Sequence, residues 1–192
     1  MAKSAAPHPN TIERDSAALI ISDLQEAFRP VIHEFDQIVA RTAIVIRAAG
    51  LLRIPILVTE QYPQKLGKTV AEIKSVLPDW VDIVDKTAFS SCGASVFRMQ
   101  LGGLPFAKGQ MLVCGIETHI CVSQTVHDLL ALGHQVHVLE DCVSSRRPEN
   151  KAIGLAKMYR AGALPGSSEM ALFEMMRDAT HEHFKSISKL VK

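Results

Sequence analysis

A chain of 192 residues, 47% hydrophobic and 21% charged, has the size and composition of one folded domain with a substantial core, which excludes a disordered protein. The formal net charge is +1, lysine and arginine are scattered, and only 5% of residues are aromatic, so neither an electrostatic footprint for nucleic acid nor a base-stacking platform is expected. No apolar run approaches ~18 residues, so no membrane span is expected, and with no secretory signal the cysteines Cys92, Cys114, Cys121 and Cys142 are assigned to a reducing, cytoplasmic setting.

Residues 1–14 read as a flexible N-terminal arm and 15–192 as the domain. Ala17 to Ser22 is a continuous apolar run, the pattern of a strand buried on both faces, and Asp23 follows at its carboxyl end. Leu24 to Val31 reads as a loop, and Glu34 to Leu52 as a helix. Pro55 to Thr59 is a second buried strand, followed by a turn-like Glu60-Gln61-Tyr62-Pro63. Thr69 to Val76 suits a short helix, Val81 to Asp85 a third strand with Lys86 just beyond it, and Ala94 to Leu101 a helix.

Met111 to Cys114 is the fourth strand. It is expected to turn at Gly115, with Thr118 as N-cap of a helix running through Val122 to Leu132. Cys121 then falls in the first helical turn, where free amides and the dipole would lower a thiol pKa and hold an oxyanion. Gly133 suits a C-cap; Gln135 to Leu139 is the fifth strand, ending at Glu140 and Asp141. Pro148 opens a helix to about Tyr159, Ala163 to Pro165 is a sixth strand at an edge, and Ser167 or Ser168 caps a helix to about Arg177. His183 to Val191 reads as a docking helix. Strands alternating with helices imply an α/β fold with a parallel sheet and right-handed crossovers.

Ligands in such folds bind beyond the carboxyl ends of the strands, and Asp23, Lys86 and Cys121 each fall at such an end. Their chemistry is complementary. Cys121 supplies a nucleophile, Asp23 can take and return its proton, and Lys86 would offset the repulsion between two anions. A thiolate at rest is the expectation, with a pKa lowered by ~2 units.

The motifs Asp23-Leu24-Gln25, Lys86-Thr87-x-Phe89-Ser90, Gly115-Ile116-Glu117-Thr118-His119-Ile120-Cys121 and Val136 to Arg146 resemble those of the isochorismatase-like cysteine hydrolases, over roughly Ala17 to Val191. Glu60-Gln61-Tyr62-Pro63 and the segment around Ser167-Ser168-Glu169 look most like the isochorismatase domain-containing subgroup. The resemblance implies a three-layer α/β/α fold around a six-stranded parallel sheet. It implies Cys121 as nucleophile, Asp23 as proton acceptor and Lys86 as the residue that orients and stabilises the pair. It also implies a cis peptide from Ile116 to Glu117, with the backbone amides of Glu117 and Cys121 forming an oxyanion hole. Phe28, Tyr62, Phe89 and His119 are candidate pocket walls.

Two departures narrow the expected chemistry. Nicotinamidases of this superfamily carry an Asp-x-His metal motif where this chain has Glu60-Gln61-Tyr62, so no metal and no cofactor are expected. The siderophore-pathway isochorismatases, which cleave a vinyl ether, generally lack the cysteine, so Cys121 favours acyl chemistry. The expected function is hydrolysis of a small amide through a thioester, in a homo-oligomer that binds neither nucleic acid nor membrane. The competing readings are a catalytically silent binding or scaffold protein, a vinyl-ether hydrolase, and a redox-sensing thiol.

Overall fold

A computed structural model describes residues 7–192; Met1 to Ala6, the start of the expected arm, lie outside the described residues. In chain order it contains β1 (Ala17–Ser22), α1 (Phe35–Leu52), β2 (Ile56–Gln61), α2 (Pro63–Leu66), α3 (Ala71–Lys74), β3 (Ile83–Lys86), α4 (Ser95–Gly102), β4 (Gln110–Ile116), α5 (Ser123–Ala131), β5 (Gln135–Ser144), α6 (Pro148–Arg160), β6 (Leu164–Gly166), α7 (Ser168–Met176) and α8 (Phe184–Leu190). The six strands form one sheet in the order β3-β2-β1-β4-β5-β6, and every pairing is parallel.

Continuous apolar strands follow from covering the sheet on both faces. Ala17, Leu19 and Ile21 of β1 face a core built with α1, α7 and α8, while Ala18 and Ile20 face a second core built with α4, α5 and α6. All six β1 residues are buried. At ~1.5–3 kcal/mol for each large side chain, burying Leu19, Ile20 and Ile21 makes β1 the energetic centre of the sheet. The direction of winding reverses between β1 and β4, which opens a crevice at the carboxyl ends of that pair.

Several local expectations change. Glu60 and Gln61 belong to β2 rather than to a turn, because their polar groups are satisfied inside the protein. Glu60 accepts the Thr69 amide at 2.6 Å and pairs with Lys68 at 3.1 Å, and the Gln61 amide donates to the Gln25 side chain at 2.7 Å. The turn comes one residue later, at Tyr62, which adopts a left-handed backbone.

β4 runs through Gly115 to Ile116, and Gly115 accommodates a positive φ of 111° there. A Cβ at that position would sit 2.0 Å from the Ser22 carbonyl oxygen, so only glycine lets β4 lie this close to the end of β1. β5 continues to Ser144 through a bulge opposite Val113–Gly115. Within it Glu140 accepts the Tyr159 hydroxyl at 2.6 Å and Asp141 accepts the Ser168 amide at 2.8 Å, tying α6 and α7 to the sheet.

The end of the N-terminal arm contacts the domain. Ile12 is 2% exposed, its amide donates to Glu174 at 2.8 Å, and the Glu13 amide donates to Gln110 at 2.6 Å.

Candidate active site

Asp23 ends β1 with a left-handed backbone (φ 59°), a conformation that aspartate tolerates better than most residues. Its carboxylate is 1% exposed. Oδ1 accepts the Thr59 hydroxyl at 2.8 Å and Oδ2 accepts Lys86 Nζ at 2.7 Å. Lys86 lies at the end of β3, two strands away, and its stem reaches across β2 to make this pair. Its ammonium also donates to Gln61 Oε1 at 2.6 Å, Phe89 O at 3.0 Å and Ala88 O at 3.2 Å. A fully buried cation is thereby surrounded by acceptors, the condition for keeping a charge out of water.

The residue after β4 is approached through a cis peptide from Ile116 to Glu117. Thr118–Val122 then forms a single π-helical turn before α5 begins at Ser123. Thr118 is therefore not the cap expected. It is the first residue of the turn, and its buried hydroxyl has no hydrogen-bond partner among the described residues. A wider turn that starts at residue 118 leaves no place for a Thr118 hydroxyl to reach an amide one turn on.

Cys121 sits within this turn, 7% exposed. The Asp23 carboxylate, Lys86 and the Glu117 backbone N–H all act electrostatically on its sulfur. Glu117 is anchored in turn. Its carboxylate accepts the Arg146 amide at 2.9 Å and Arg146 Nε at 3.1 Å.

The electrostatics correct one expectation. Burial pushes the Cys121 thiol up to about 12, and the Asp23 carboxylate adds to the rise while Lys86 opposes it. Burial likewise raises Asp23, against the lowering effect of Lys86. The resting site is thus a neutral thiol beside an Asp23–Lys86 ion pair, not a stored thiolate. Lys86 spends its charge on Asp23, and desolvation of the sulfur outweighs what remains.

Asp23, Gln61, Glu117, Cys121 and Arg146 line one cavity of about 340 Å³ together with apolar side chains. Phe28, Tyr62 and Phe89 are among those walls. His119 is not. The π-helical turn directs it toward the start of α6 and the loop before it, where Nδ1 meets Ser145 Oγ at 3.0 Å and Nε2 meets Asn150 Nδ2 at 3.4 Å. Gly154 of α6 packs on the backbone of the same residue. Gln61, Leu66, Ile116, Ile120 and Arg146 complete the lining and were not singled out from sequence. Gln61 was within reach of the strand-end argument, since it closes β2. Among the described residues no cluster of His, Cys, Asp and Glu has the makings of a metal site.

Comparison with known proteins gives a consistent result. The isochorismatase domain family matches residues 17–170. The chain is 42% identical to isochorismatase domain-containing protein 2A of Mus musculus over 178 residues, which is 93% of this chain and 84% of the mouse protein. It is 41% identical to the secreted isochorismatase effector Isc1 of Phytophthora sojae over 179 residues, covering 92% and 85% of the two chains. Among solved structures, the MAR1 ribonuclease of Caenorhabditis elegans superposes with a TM-score of 0.88 at 38% identity, covering 94% of this chain and 91% of the nematode one.

Proposed function

The chain belongs to the isochorismatase family of hydrolases, and from that premise we propose that it cleaves the amide C–N bond of a small molecule through a thioester on Cys121. The observation that carries this reading is the joint presence of Cys121 and the Lys86-paired carboxylate of Asp23 on one cavity of about 340 Å³. A cavity of that volume suits a small molecule.

In the proposed cycle the Cys121 S–H bond breaks as sulfur attacks the amide carbonyl carbon, and the proton passes to Asp23. The carbonyl oxygen becomes an oxyanion, held by the backbone N–H groups of Glu117 and Cys121. The C–N bond then breaks, and Asp23 gives its proton to the leaving nitrogen. Water hydrolyses the thioester with Asp23 taking a proton from it, and the thiol is restored. Lys86 opposes the effect of burial on Asp23 and so favours its carboxylate between transfers. Because the thiol rests neutral, proton transfer accompanies attack instead of preceding it. Phe28, Tyr62 and Phe89 supply apolar walls for the substrate body.

Three further parts of the reading are proposals of the same kind. The substrate is a small molecule rather than a nucleic acid, in keeping with a net charge of +1. The protein works in a reducing compartment such as the cytoplasm, in keeping with four free, buried thiols; no described helix is long and apolar enough to cross a membrane. It assembles as a homo-oligomer, which would cover Trp80, Met99 and Ile153, exposed by 58%, 70% and 66%.

The test is ammonia or amine release across a panel of small amides, with an RNA-hydrolysis assay run in parallel. Release that falls by roughly 10²–10⁴-fold in Asp23→Asn and disappears in Cys121→Ala is expected. Amide turnover that survives Cys121→Ala, or RNA cleavage lost with it, would contradict the reading.

A further inference from the structure

Behind Asp23, on the side away from the cavity, stands a row of buried hydroxyls. Thr59 grips Asp23 twice. Its carbonyl oxygen accepts the Asp23 amide at 3.1 Å, and its hydroxyl donates to Oδ1 at 2.8 Å. The Thr59 oxygen lies 3.4 Å from Ser91 Oγ, and the Ser91 amide donates to Thr125 Oγ1 at 2.9 Å. Thr125 sits on α5, the helix that continues from the turn carrying Cys121. Thr59, Ser91 and Thr125 are each 0% exposed, and none of them lines the cavity.

We propose that Thr59 and Ser91 are positioning residues that set the proton affinity of Asp23 from behind, within a hydrogen-bonded strap running from Asp23 through Thr59 and Ser91 to Thr125. The inference rests on the reading of Asp23 as the proton acceptor. A threonine hydroxyl has one proton to give. While Asp23 is a carboxylate, that proton points at Oδ1 and favours the charged form. When Asp23 takes the thiol proton on Oδ1 (S–H broken, O–H formed), since Oδ2 is held by the Lys86 ammonium, the Thr59 hydroxyl turns and donates to Ser91 Oγ instead. No proton travels along the strap; the hydroxyl only reorients. The Thr59 proton thus has an acceptor in either state of Asp23, Oδ1 in one and Ser91 Oγ in the other.

The titratable groups acting on Asp23 are Lys86 from β3 and Cys121 from the π-helical turn. Thr59 and Ser91 are uncharged, so removing either hydroxyl leaves those charges in place. The Thr59 hydroxyl itself acts to lower the Asp23 pKa.

Folded protein labelled with 13C-aspartate, titrated by NMR with Asp23→Asn to assign the signal, tests this without any substrate. Thr59→Val is expected to raise the proton affinity of Asp23 about tenfold, one pH unit, and Thr59→Ser to restore it. Ser91→Ala, which removes only the acceptor for the turned hydroxyl, is expected to shift the titration the opposite way. With an amide substrate, the acid limb of kcat/KM should follow each shift. An Asp23 titration unmoved in Thr59→Val, or moved equally in Thr59→Ser, overturns the inference. If Thr59→Val does not fold, an unmoved titration in Ser91→Ala overturns it alone. Absence of amide turnover in the wild type would strike the functional reading and leave the NMR result standing.

Discussion

At the residue scale, the resting state of Cys121 separates this site from one that stores a thiolate. With the folded pKa near 12 against 9.0 for a free thiol, the thiolate fraction at neutral pH is about a thousandfold below that of an unburied cysteine. Alkylation by iodoacetamide, followed at the Cys121 peptide by mass spectrometry, should therefore keep rising about tenfold per pH unit beyond pH 9. The same peptide in denatured protein should level off near pH 9. The sign is that of a group whose folded pKa is raised: the fold favours the neutral form, and its contribution to stability is lost as pH climbs from 9 toward 12. A plateau below pH 8.5 in the folded protein would restore the thiolate expectation. Asp23, Lys86 and Cys121 could be picked out in sequence because each is a reactive type at a strand end. The raised pKa could not, since it depends on how much water the finished cavity leaves around the sulfur. His119 was misplaced for a related reason, as the π-helical turn that rotates it toward Asn150 leaves no periodic signature in five residues.

At the scale of elements, the strands were legible wherever both faces are covered, as in β1, and failed where polar residues are satisfied internally. Glu60 and Gln61 look like a turn until Lys68, Thr69 and Gln25 are folded against them. The bulge in β5 is invisible in sequence because its purpose, to offer Glu140 and Asp141 to α6 and α7, is tertiary. The junction of α6 with the π-helical turn is the element contact on which Cys121 depends. A Cβ at Gly154 would lie 2.9 Å from His119 Cα and 3.1 Å from its amide nitrogen, so the turn must shift to admit it. Gly154→Ala should cost about 1–3 kcal/mol, seen as a Tm lowered by roughly 2–10 °C. It should also reduce kcat more than it raises KM, because the shift moves the sulfur rather than the cavity walls. An unchanged Tm and kcat would mean that the turn yields freely.

At the scale of the whole molecule, the order of the strands does what no single residue can. Reversal of winding between β1 and β4 brings Asp23 to the turn that follows β4, and the parallel run of β2 and β3 lets Lys86 reach Asp23. The fold class and the triple of strand ends follow from that pattern, which alternation of strands and helices announces. The remaining cavity walls, Gln61, Leu66, Ile116, Ile120 and Arg146, come from three separate stretches of chain and meet only once the sheet is complete. The account turns on a covalent bond to one sulfur, and acid-quenched intact mass with peptide mapping during amide turnover reads that bond directly. A mass increase equal to the substrate's acyl group, confined to the Cys121 peptide and absent from Cys121→Ala, is the predicted result. Steady turnover with no acyl adduct on Cys121, or with the adduct on another residue, would contradict it.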